Sequence, residues 1–235
     1  MWILVDYDNL DRLERQRGLE HVVWLTLSRI EAQYPIGADR IQVRLYGGWY
    51  LGETLSHLAQ ELTTEIFATY PAPVDISGDK SKMCRVNVEL ARSILVDPST
   101  DLFHTYRPRG VSGIRCHGPP YKNCVRPKDC QTAKLHEFFN SRQCVVNGCS
   151  VKAKNVFYRA EQKLVDSMLI ADLIYLVDQG CSVSVVSSDD DLWPGMRLAL
   201  EYGKPIIHMH PRKGQQTPDM YKVRAPSNYI ELRRK

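Results

Sequence analysis

Two short apolar runs, one near each end of the chain, break off into acids. "WILVDYDNL" starts at residue 2 and "CSVSVVSSDDDL" starts at residue 181. A strand covered on both faces reads as an unbroken apolar run, and such strands belong to parallel sheets sandwiched between helices. Strand and helix patterns alternate around the two runs. Residues 19–34 carry the broad apolar stripe of a helix (Val22, Val23, Leu25, Leu27, Ile30). Residues 40–46 alternate through Ile41, Val43 and Leu45 as a strand does, and Gly47-Gly48 close it. Further helices are expected over 52–62, 132–142, 161–180 (stopped by Gly180) and 191–203 (Pro194 in its first turn, Gly203 at its end). Further strands are expected over 64–73, over 83–96 (where Val86, Val88 and Leu90 alternate and a helix is the alternative) and over 204–210, the last clear one. This order implies an α/β fold, an open and mostly parallel Rossmannoid sheet with helices on both faces. In such sheets ligands bind outside the carboxyl ends of the strands, and both "DYDN" and "SSDDD" fall at carboxyl ends.

Composition narrows the setting. The 235 residues suit one large domain, or one domain with an insertion. A hydrophobic share of 43% supports a core without disulfides or metals. The apolar runs fall far short of the ~18 residues of a membrane span, and the opening residues reach Asp6 without a basic segment. A cytoplasmic protein with no membrane partner is therefore expected. Charge is unevenly spread. Residues 104–163 hold twelve Lys/Arg against three acids, a local +9 within a chain of formal net charge +4. A basic block beside an acidic remainder points to a polyanionic partner.

The acids need an explanation of their own. Two carboxylates about 4 Å apart repel by ~4 kcal/mol at an effective dielectric near 20. Mg²⁺ or Mn²⁺ would relieve this, being a hard cation that takes carboxylates, waters and substrate phosphate. So held, such an ion lowers the pKa of a bound water and stabilises charge on phosphorus. The plainer reading is that Asp189, Asp190 and Asp191 cap the helix that follows, at ~0.3–1 kcal/mol each.

Three blocks resemble the NYN-domain family, a branch of the PIN-like nucleases. "ILVDYDNL" is similar to its opening strand, with Asp6 and Asn9 at the motif positions. "KLVDSMLIAD" is similar to its acidic helix through Lys163, Asp166 and Asp172. "VVSSDDDL" is similar to its Ser-Gly-Asp-Ser-Asp-Phe strand end through Ser187, Asp189 and Asp191, with Ser188 and Leu192 departing from the pattern. The resemblance implies a PIN-like fold and one NYN domain over residues 1–235. It also implies a Mg²⁺- or Mn²⁺-dependent endoribonuclease. Asp6, Asp166, Asp189 and Asp191 would form the acidic centre, Asn9 would orient a water or a phosphate oxygen, Ser187 would bond a metal ligand, and Lys163 would meet phosphate. Asp166 and Asp172 lie about 9 Å and 120° apart on a helix, so Asp172 is read as a structural or supporting acid. An inactive nucleic-acid-binding module is the alternative. A haloacid-dehalogenase-like phosphatase, suggested by Asp6-x-Asp8, is a weaker one because Leu10 stands where that family has Thr or Val.

Residues 105–150 interrupt the alternation. The stretch is basic and opens with Pro-rich, aperiodic sequence. Cys116, Cys124, Cys130, Cys144 and Cys149 lie within it. Disulfides are not expected in a cytosolic chain. Four thiolates would clip an irregular insertion around one structural Zn²⁺; unliganded thiols are the alternative. Tyr106, Arg107, Arg109, Arg115, Lys122, Arg126 and Lys128 interleave an aromatic ring with cations, which suits single-stranded or structured RNA. The same knob is alternatively a contact for a homo-oligomer or a protein partner. Cys84 and Cys181 read as core residues; His104, His208 and His210 read as core or surface residues, with a part in shaping a site as the alternative.

Overall fold

The structure, a computed structural model, describes residues 1–110, 124–126, 129–144 and 146–234. Its strands are β1 (Trp2–Asp6), β2 (Arg40–Tyr46), β3 (Tyr50–Leu51), β4 (Thr54–Leu55), β5 (Ala72–Asp75), β6 (Met83–Leu90), β7 (Tyr106–Gly110), β8 (Tyr158–Gln162), β9 (Val183–Val186), β10 (Ile206–His210) and β11 (Tyr229–Arg233). Its helices are α1 (Arg12–Arg15), α2 (Leu19–Gln33), α3 (His57–Thr69), α4 (Gln131–Ser141), α5 (Ala153–Val156), α6 (Val165–Asp178), α7 (Trp193–Leu200) and α8 (Asp219–Lys222). The chain divides into two compact units, Met1–Tyr106 with Gln162–Lys235, and Arg107–Glu161.

The first unit is built on a seven-stranded sheet ordered β11-β10-β9-β1-β2-β6-β5. Every pair is parallel except β5 with β6. Alternate residues of the central strands enter two cores. Ile3, Val5, Ile41, Val43 and Val86 pack with α2 and α3 on one face, and Leu4, Val183 and Val185 pack with α6 and α7 on the other. α6 buries Leu169, Leu173, Leu176 and Val177, at ~1.5–3 kcal/mol for each side chain removed from water. A mixed α/β architecture with a mostly parallel, doubly covered sheet is therefore observed. From β1 the chain first builds toward β2 and β6, and later adds β9, β10 and β11 on the other side. The strand order thus reverses between β1 and β9, and a crevice opens at such a point.

Local departures from the sequence reading have local causes. Residues 64–69 were expected to be strand but extend α3. Thr63 and Thr64 send their hydroxyls back to the carbonyls of Ala59 (2.6 Å) and Gln60 (3.0 Å), so β-branched residues are accommodated in the helix. The helix ends at Thr69 because Tyr70 precedes a proline and is extended. α6 begins at Val165, later than residue 161, because Tyr158–Gln162 is a strand. A further strand, β11, pairs with β10.

The second unit begins and ends near the neighbouring strands β7 and β8, which carries it past residue 150. Its core is aromatic: Phe138, Phe139 and Phe157 cluster with ring centroids 4.9–6.4 Å apart. The single zinc clip is not assembled from the described cysteines. Cys124 and Cys130 precede α4, whereas Cys144 and Cys149 follow it. The eleven-residue helix between them is about 16 Å long, and among the described residues no three thiols come together as metal ligands. Arg115, Cys116, Lys122 and Lys128 lie outside the described residues. Arg109 pairs with Glu161 at 2.5 Å, and Arg107 and Arg126 are exposed. Cys84 is buried on β6 and Cys181 half-buried before β9.

Candidate metal centre

The crevice between β1 and β9 gathers the acids. Val5 stands beside Val186 in the parallel register, so Asp6 and Ser187 leave the sheet together. Asp6, Asp166 and Asp189 each place a carboxylate oxygen within 4.8 Å of the other two. They come from the end of β1, the first turn of α6 and the loop after β9. Asp6 is buried, Asp189 half-buried and Asp166 exposed. Side chains separated by more than 150 residues thus meet because the topology puts both strand ends on one rim.

Asp6 is held from two sides. Its Oδ2 accepts from Asn9 Nδ2 and from Ser187 Oγ, both at 2.9 Å, and its Oδ1 accepts from the Asn9 backbone N–H at 3.3 Å. The turn Tyr7–Asn9, a short 3₁₀ helix capped by Asp6, folds Asn9 back. The Asn9 side-chain amide therefore helps to orient Asp6. Ser187 Oγ also accepts from the Asp189 N–H at 3.1 Å. One hydroxyl thus ties two of the clustered aspartates together. Asp189 caps the next turn by accepting from the Asp191 N–H at 3.0 Å, so the capping reading holds for one oxygen of Asp189 while its carboxylate also joins the cluster. Asp191 is exposed and lies outside the 4.8 Å group.

The electrostatics match this crowding. Burial pushes the Asp6 carboxyl above its usual range, against the pull of Asn9 and Ser187. The Asp166 carboxyl is pushed up to about 6, first by desolvation and then by Asp189, Asp6 and Asp191. Such a group could hold a metal ion. Each of the three acids offers one hard oxygen within 4.8 Å of the others, and carboxylates ligating one Mg²⁺ sit up to ~4.2 Å apart.

Asp172, the other acid of α6, serves the core. It is fully buried and accepts from Arg44 Nε (2.9 Å), Tyr46 Oη (2.6 Å) and the Leu95 N–H (2.6 Å). Arg44 also donates to Glu89 and to the Ser93 carbonyl. Asp8 pairs with Arg15 (3.0 Å) and accepts from Gln162. Lys163 stands three residues before Asp166, its N–H bonded to the Thr105 carbonyl (2.9 Å).

His208 and His210, with partners on and beside β11 that the sequence did not single out, fix the Asp189 loop. His208 Nε2 lies 2.9 Å from the Ser187 carbonyl. A carbonyl only accepts, so Nε2 carries the proton and Nδ1 accepts from Tyr229 Oη at 2.8 Å. Thr217 Oγ1 donates in turn to Tyr229 Oη at 2.5 Å. His210 Nε2 reaches Thr217 Oγ1 and Glu231 Oε1, both at 3.2 Å, and its Nδ1 accepts from Ser188 Oγ at 3.2 Å. Both rings are neutral: burial drives His208 down to about 3 and lowers His210. The histidines are core residues, but they anchor Ser187 and Ser188, the loop that carries Asp189.

No protein-family model matches the chain, and no solved structure matches it. Over 66 residues it is 36% identical to an uncharacterized protein, y4oD, of Sinorhizobium fredii. That similarity covers 26% of this chain and 31% of y4oD, so the match spans about a third of the relative's length.

Proposed function

We propose that this chain is a PIN-like nuclease of the NYN type that uses Mg²⁺ or Mn²⁺ to hydrolyse RNA. The observation that carries the reading is the convergence of Asp6, Asp166 and Asp189 within 4.8 Å where the strand order reverses. Asp6, Asp166 and Asp189 would hold the ion, with Asp191 adding negative charge beside Asp166. When bound, the ion supplies Lewis acidity toward the phosphoryl group and a water of lowered pKa. The protein contributes position. Asn9 and Ser187 lock the Asp6 carboxylate in one orientation, so it need not reorganise when charge develops. Ser187 and the histidine network hold the Asp189 loop. A cavity of about 270 Å³ opens beside Asp8 and is lined by Gly48, Tyr106 and Gln162. The exposed Tyr106 ring offers a surface on which a nucleobase can stack.

The test is cleavage of single-stranded RNA with Mn²⁺ or Mg²⁺, comparing the native chain with Asp6→Asn and Asp189→Asn. The native chain should cut and leave no 2′,3′-cyclic phosphate, because water rather than the ribose hydroxyl attacks. EDTA or either substitution should lower the rate at least a hundredfold. Equal cutting by all three proteins would remove this centre from the reaction. RNA binding without any cutting would favour an inactive binding module.

A further inference from the structure

A cavity lined by two arginines lies on the opposite rim of the parallel sheet. It encloses about 430 Å³ between Trp2, Arg40, Gln42, Arg85 and Asn87, with Pro71 at one side. Strand register builds its floor. Along β2 and β6, Arg40 stands beside Arg85, Gln42 beside Asn87, and Arg44 beside Glu89. β1 places Trp2 beside Gln42. At the Arg44 level α6 covers this face, and Asp172 answers the guanidinium. One step toward the strands' amino ends Gln42 is half-buried and Asn87 exposed, and Asn87 Nδ2 donates to Gln42 Oε1 at 3.0 Å. At the last step two guanidinium groups stand on adjacent strands. Both residues are exposed, and among the described residues neither has an ion-pair partner.

Like charges side by side in a sheet repel, and nothing in the surrounding polar pair neutralises them. An anion between them would. Arginine forks engage phosphate oxygens in pairs. Trp2, half-buried at the same cavity, adds an aromatic surface, and the Gln42–Asn87 amides offer donors and acceptors. The volume falls within the range of small-molecule sites, ~300–1,000 Å³. We propose that this cavity binds a nucleoside phosphate, its phosphate on Arg40 and Arg85 and its base against Trp2. Trp2 and Asp6 are the two ends of β1, about 13 Å apart. The proposal therefore stands whether or not the acids cut RNA.

Two sources supply this chemistry, a free nucleotide and a nucleic-acid strand. Calorimetry of the full chain should separate them, in an Asp6→Asn background so that no strand is cut. AMP should bind at least tenfold tighter than adenosine. Arg40→Ala with Arg85→Ala should weaken AMP at least tenfold, without changing the circular-dichroism melt. Trp2→Leu should weaken AMP several-fold and leave inorganic phosphate unchanged. A 5′-phosphorylated oligoribonucleotide that displaces AMP and binds more tightly would assign the site to a strand. AMP binding that the oligonucleotide does not displace would assign it to a free nucleotide. Equal affinity for AMP and adenosine, or undiminished AMP binding by the double arginine variant, would overturn the proposal.

Discussion

Replacing Asp166 by Asn should stabilise the metal-free protein while weakening its response to metal. The magnitude follows from the cluster. Asp166 has two carboxylate neighbours within 4.8 Å, and each such pair repels by ~1 kcal/mol at the dielectric of water and several times more at an effective 20. The gap between 3.8 and about 6 corresponds to about 3 kcal/mol as an upper bound. Asp166 is exposed, so screening brings the gain toward ~1–2 kcal/mol. Against this, losing an acid from the first turn of α6 costs ~0.3–1 kcal/mol. The net expectation is about 1 kcal/mol, a rise of about 3 °C in melting temperature for a domain of this size. The sign fixes the pH window. A carboxyl raised on folding destabilises the folded state once it must ionise, so the variant's advantage should be absent below pH 3.8, open between 3.8 and about 6, and be complete above that. Thermal melts of both proteins in EDTA from pH 4 to 8 measure it. Excess Mn²⁺ should reverse the order, since an ion at a hundred times its dissociation constant adds ~2.7 kcal/mol to the protein that binds it. A variant less stable than the native chain in EDTA at pH 8, or equal stabilisation of both by Mn²⁺, would refute the shared ion.

Three other outcomes follow from the same geometry. Asp172→Ala should cost at least ~3 kcal/mol in urea unfolding, because it leaves Arg44 short of a buried partner and orphans Tyr46 Oη and the Leu95 N–H; a loss under ~1 kcal/mol would show that the network contributes little. His208 is neutral on folding and titrates near 3 instead of 6.5, so it contributes stability above pH 6.5 that drains as pH falls toward 3; His208→Gln should flatten that part of the stability profile, and an unchanged slope would count against a buried neutral ring. Gly195→Ala should cost ~1–3 kcal/mol by thermal melting, because an added Cβ would lie 2.3 Å from Ile170 Cδ1 where α7 crosses α6; a neutral effect would mean that Ile170 swings aside freely.

What was legible in the chain was what depends on short-range pattern. Strands covered on both faces must be apolar along their whole length, so β1 and β9 announced themselves, and each had to stop where polar residues began. Once two such strands are parallel neighbours, their ends share a rim, and the meeting of Asp6 with Asp189 follows from topology rather than from any contact visible in sequence. The 120° between Asp166 and Asp172 around one helix likewise separated their roles: Asp166 joins the cluster and Asp172 faces Arg44. Pattern failed where a polar residue is satisfied from far away. Arg44 alternates with Val43 and Leu45 as a solvent-facing residue would, yet it is buried, because an acid 128 positions later reaches it. His208 and His210 read as isolated polar intrusions in "IIHMH". Their partners Tyr229, Thr217 and Glu231 sit on or beside β11, a half-exposed edge strand that lacks the continuous apolar run by which buried strands are recognised. Among the described residues the cysteines do not come together as a zinc site, for a related reason. Cysteine spacing along a chain carries no information about the rigid rod between them, and α4, whose Phe138 and Phe139 pack with Phe157, lies between the two pairs in the chain.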